Sequence, residues 1–139
     1  MNQDSQSPRR NTYDAMVIVD AYQRNLLAKA KNEEIDYERE AATLRVVARA
    51  IARNPQMLVI VPEHEETIER AYREAGFTLR SMNGNRGSEL PRIINEEQDV
   101  LDIHGPKRVI FVGNDPLYGF LAKHAVHNNA EVAFWWPEA

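Results

Sequence analysis

The stretch "VIVDAYQRN", residues 17–25, poses the question on which the fold turns. Val17, Ile18 and Val19 run without alternation into Asp20, and no glycine-rich turn follows. An unalternated β-rich run is the pattern of a strand covered on both faces, as in a buried parallel sheet. The first run extends back as "AMVIV" (15–19), and four more follow: "MLVIV" (57–61), "FTLRS" (77–81), "RVIFV" (108–112) and "EVAFW" (131–135).

Helical patterns fill the gaps. Leu44, Val47, Ala48 and Ile51 form one stripe, with Asp36 as its N-cap and Asn54–Pro55 as its stop. Ile68, Ala71, Tyr72 and Ala75 form the next, closed by Gly76. Ser88 is expected to cap a helix carrying Leu90, Ile93 and Ile94, with Pro91 in its first turn. A last helix is expected from about Pro116 to His127. Such alternation predicts a three-layer α/β/α domain around a central, mostly parallel five-stranded sheet with right-handed crossovers. Open sheets of this kind bind ligands beyond the carboxyl ends of the strands, where the strand order reverses. In a 3-2-1-4-5 order the first and fourth strands are neighbours, about 4.8 Å apart. Asp20 and Asp115 would then stand side by side at the rim.

Composition narrows the chemistry. The 139 residues, 43% of them hydrophobic, suit one domain, with residues 1–12 as a loose polar tail and 13–139 as the folded unit. There is no cysteine, so disulfides, thiolate metal sites and cysteine nucleophiles are excluded and any catalysis rests on oxygen and nitrogen groups. Seventeen basic residues against 21 acidic ones give a net charge of -4, so a nucleic-acid partner needs a local basic patch. No apolar run approaches a membrane span, and "MNQDSQSPRR" carries no apolar signal segment, so a cytoplasmic protein with no membrane partner is expected.

Carboxylates gathered at one point repel unless one is protonated, a cation neutralises them, or an arginine sits between them. Hard divalent ions are the usual solution, because they take oxygen ligands. Either aspartate alone is better explained as an N-cap or turn residue. The segment "NRGSELPRIIN" (85–95) adds a third acidic block. Together with "VIVDAYQRN" and "VIFVGNDPLYGFL" it resembles, in order and spacing, the three acidic blocks of the NYN domains of the PIN-like nuclease superfamily, over about residues 14–136.

The resemblance implies a PIN-like fold and a metal-dependent ribonuclease that cuts RNA with metal-activated water. Asp20, Glu89 and Asp115 match its acidic ligands for Mg²⁺ or Mn²⁺, and Asn25 or Asn114 would orient water or phosphate. Arg86 and Gly87 match the basic residue and glycine before the second acid, and Tyr118 the aromatic after the third. This chain departs from the pattern at Asn25, two positions late, at Asn95, often a second Asp, and at Leu117, which replaces the last Asp. Three charged ligands remain, enough for one ion; the alternative is a weakened PIN-like domain that binds RNA or protein.

Arg80, Arg86 and Arg92, with Asn95, are candidate phosphate contacts; pairing of the arginines with Glu96 and Asp99 is the competing expectation. Arg45, Arg49 and Arg53 read as a solvated helix face, with an RNA track as the alternative, "PEHEE" (62–66) as a helix start, and His124 and His127 as too few ligands for zinc. If Trp135 and Trp136 lie in a strand, one packs inward and the other covers a helix or a partner chain, a second copy in a homodimer included.

Overall fold

The computed structural model describes residues 13–135. The expected tail over residues 1–12, and Trp136, lie outside them. In chain order the elements are β1 (Ala15–Asp20), α1 (Ala21–Ala30), α2 (Tyr37–Ile51), β2 (Pro55–Pro62), α3 (Glu66–Glu74), β3 (Thr78–Met82), α4 (Arg86–His104), β4 (Arg108–Val112), α5 (Tyr118–His127) and β5 (Glu131–Trp135). The strands form one sheet in the order β3-β2-β1-β4-β5, and every neighbouring pair is parallel.

The unalternated runs are explained by the two cores they serve. Val17, Val19, Val59, Val61, Ile110 and Val112 point to one face, where α2 and α3 bring Leu44, Ala48, Ile68 and Tyr72. Met16, Ile18, Leu58, Ile60, Val109 and Phe111 point to the other, against Leu90, Ile93 and Leu101 of α4 and Leu121 of α5. A strand apolar on both sides is stable only between two such layers. Among the described residues no helix is long and apolar enough to cross a membrane.

Most helix ends follow the sequence. Asp36 caps α2 by accepting the Arg39 N–H at 3.1 Å, and Gly76 ends α3 with a φ of +90°. Two starts differ. Helix α4 begins at Arg86, not after Ser88, because the Asn85 carbonyl takes the N–H groups of both Ser88 (3.2 Å) and Glu89 (3.0 Å). Pro91 therefore lies inside the helix instead of in its first turn. Helix α5 begins at Tyr118 instead of Pro116, because Asp115 first closes a turn, its carbonyl accepting the Tyr118 N–H at 3.0 Å.

Register places the site. Val19 pairs with Val59 on one side and Val112 on the other, so Asp20 and Gly113 emerge together at the carboxyl rim where the order reverses.

Candidate functional site

Asp20 ends β1 and immediately caps α1, its Oδ1 accepting the Gln23 N–H at 2.8 Å. The strand therefore turns into a helix without a loop, and the carboxylate stays at the rim. Its Oδ2 accepts two further hydrogen bonds, from the Tyr118 hydroxyl at 2.5 Å and from Arg86 Nη2 at 2.6 Å. The Asp20 side chain is 0% exposed. Gly113 makes this approach possible: a Cβ there would stand 2.9 Å from the Asp20 Cβ and 3.3 Å from the Tyr118 ring.

Asp115 arrives from the β4–α5 loop. Its Oδ1 accepts the Leu117 N–H at 2.9 Å, and its Oδ2 accepts Arg86 Nε at 3.2 Å and Nη2 at 3.0 Å. One guanidinium nitrogen thus serves both aspartates, so the predicted meeting of Asp20 and Asp115 occurs around a cation the chain itself supplies. The Arg86 guanidinium also lies over the Tyr22 ring, 5.6 Å from its centroid. Burial pulls the Arg86 pKa down, but the hydrogen bonds and charge of Asp20, with Asp115, leave it raised. The Tyr118 hydroxyl is pushed up by burial and by the adjacent Asp20 charge. Arg86 is the first residue of α4, at the positive end of a helix dipole, where a cation is disfavoured by about 0.3–1 kcal/mol. The two carboxylates outweigh that cost.

Glu89 goes elsewhere. Its Oε1 accepts the Asn83 N–H at 2.8 Å, bracing the β3–α4 loop. Among the described residues, no group of three or more His, Asp or Glu side chains is placed to hold a metal ion. The donor chemistry explains this. Arg86 lies against one oxygen of each aspartate, Asp20 Oδ2 and Asp115 Oδ2, where an ion bridging them would sit, and Asp20 is sealed from solvent. As placed, the predicted ligands do not fit a divalent ion.

The remaining predicted residues divide. Asn114 is exposed beside Asp115, its backbone N–H held by Gln23 Oε1 at 3.3 Å. Asn25 faces α2, its Oδ1 accepting the Tyr37 hydroxyl at 3.1 Å. Asn95 is exposed on α4, six residues past Glu89 and so turned roughly 120° around the helix axis. Arg80 is tied to Glu96 and, at 2.9 Å, to the buried Glu97. Arg92 meets Glu96 at 3.2 Å. The three candidate phosphate arginines are therefore all held by carboxylates: Arg80 and Arg92 by Glu96, as the competing expectation had it, and Arg86 by Asp20 and Asp115, while no arginine pairs with Asp99 among the described residues. Sequence reasoning missed Gln23 and Tyr22, although Asp20-x-x-Gln23 has the spacing of a capping box.

Next to Asp115 a cleft of about 330 Å³ opens between the 113–116 loop, Gly119 and the end of β5, walled by Phe134 and Trp135. Phe134 is 52% exposed, and its ring stacks on Phe111 at 4.9 Å between centroids. The larger groove, about 600 Å³ between α2 and α3, carries Arg45, Val46 and Arg49 but lacks a buried convergent polar cluster. The rim is thus the better candidate site. His124 is occupied by Asp102 at 2.7 Å, and His64 is an exposed partner of Glu63.

These features define an α/β domain with an all-parallel 3-2-1-4-5 sheet and an arginine-bridged aspartate pair at its switch point. Compared with family models, curated proteins and solved structures, the chain matches none.

Proposed function

We propose that this chain is a PIN-like domain of NYN type that binds RNA at its carboxyl rim without cutting it. The observation that carries this reading is the Arg86 guanidinium seated between Asp20 and Asp115. The resemblance of the three acidic blocks supports RNA as the partner, and the cleft beside Asp115 supports the mode. Phe134 offers a half-exposed ring for an unpaired base, and the Asn114 side-chain amide offers a donor and an acceptor for its edge. Because Arg80, Arg86 and Arg92 are already neutralised, few counterions would be released, and affinity would depend only shallowly on salt.

The hydrolase reading, with Mg²⁺ or Mn²⁺ on Asp20, Glu89 and Asp115, is favoured by one observation: two of its three acids do converge from distant strands. It requires Arg86 to leave both carboxylates and Glu89 to release Asn83.

One experiment separates the two. A labelled single-stranded RNA is incubated with the protein in Mn²⁺ and in EDTA, alongside Asp20→Asn. Intact RNA that is retained in both buffers, and released about tenfold more easily by Phe134→Ala, supports the binding module. Cleavage in Mn²⁺ that the Asp20→Asn protein lacks establishes the hydrolase instead. Absence of both binding and cleavage refutes RNA as the partner. We place the protein in the cytoplasm, on the same reading.

A further inference from the structure

We propose that Arg86 is the resident cation of this site, occupying the place a divalent ion would take, and that a neutral side chain at this position opens a divalent-cation site between Asp20 and Asp115. The proposal concerns the charge of the pocket and does not depend on what the rim binds.

Two buried aspartates need a positive charge, and the chain holds one within reach of both. Arg86 Nη2 lies 2.6 Å from Asp20 Oδ2 and 3.0 Å from Asp115 Oδ2. A hard ion seated at that nitrogen would be within about 1 Å of its ligation distance to each oxygen. The two cations exclude one another. Placed together, they would set three positive charges against two negative ones in a pocket where the Asp20 side chain has no contact with water.

Three features of this chain tilt the competition towards the arginine. Glu89 is spent on the Asn83 N–H, so a third anionic ligand is missing. Leu117 stands two residues past Asp115, where its N–H occupies Oδ1 instead of adding another carboxylate. The guanidinium lies over the Tyr22 ring, a contact that suits a planar cation better than a hydrated ion.

The test titrates Mn²⁺ alone, without RNA, into the unchanged protein, Arg86→Gln and the double variant Asp20→Asn/Arg86→Gln, reading water-proton relaxation and melting temperature. The unchanged protein should show no specific Mn²⁺ binding. Arg86→Gln should bind at least roughly 100-fold more tightly than any residual binding of the unchanged protein and melt about 5 °C or more higher in excess Mn²⁺ than without it. The double variant should lose both responses. Equal binding by the unchanged protein and Arg86→Gln would overturn the proposal, and so would absence of binding in both. If Arg86→Gln does not fold by itself, refolding in Mn²⁺ decides: recovery of the fold supports the proposal, and continued failure overturns it.

Discussion

Two arginines in this molecule each hold a pair of carboxylates, one of them buried, and they do so differently. Arg86 reaches Asp20 and Asp115 at the rim between β1 and β4, whereas Arg80, on the edge strand β3, reaches Glu96 and Glu97 of α4. At the rim every carboxylate oxygen has a donor, because backbone N–H groups of Gln23 and Leu117 and the Tyr118 hydroxyl complete what the guanidinium leaves open. At the edge, Glu97 Oε1 is buried without a partner among the described residues. Burial pushes the Glu97 carboxyl up, with Arg80 opposing it. One cluster satisfies every carboxylate oxygen, and the other leaves a carboxyl that holds its proton more tightly than in the unfolded chain.

Removing each arginine is the sharpest way to break that contrast. Arg86→Gln strands the sealed Asp20 beside Asp115 and should cost about 3–5 kcal/mol in urea denaturation at neutral pH without added metal. Tyr118→Phe deletes one donor to the same carboxylate while keeping the ring against Phe111, for a loss of about 1.5–3 kcal/mol by the same measurement. Gly113→Ala forces a methyl against the Asp20 Cβ and should cost about 1–3 kcal/mol; a loss below a few tenths would show that the close approach of β1 and β4 is not tight.

Arg80→Gln should cost least, about 1–2 kcal/mol at pH 7, since Arg80 and Glu96 are partly open to solvent. The pH dependence follows from the raised Glu97 carboxyl. Folding binds that proton more tightly than the unfolded chain does, so its contribution is fully present below the ordinary value of 4.5 and is lost as pH rises through the folded value. Denaturation midpoints of Glu97→Gln should lack this decline, and an unchanged profile would show that the Arg80 charge compensates fully.

Much of this architecture can be read along the chain because its signals are local. Five short β-rich runs separated by capped amphipathic stretches leave few topologies once right-handed crossovers are required. Asp20 carries two roles from one position: it caps α1, as strand-to-helix aspartates commonly do, and it meets Asp115. The helix starts were harder to read, because carbonyl acceptance by Asn85 and the turn closed by Asp115 leave no distinctive residue pattern. Tyr22 and Gln23 lie on α1, which has no clear apolar stripe, and nothing in the sequence puts them under Arg86 or against Asn114.

The amino-acid sequence alone determined the five strands and four of the helices between them, because periodicity acts over short spans of chain, and it set two aspartates to meet on condition that the first and fourth strands are neighbours, as they are. Only the tertiary structure decided which cation lies between those aspartates and that Glu89 turns away. Each long side chain has several partners within reach, and the choice among them depends on burial and distance at a point where segments remote in sequence converge.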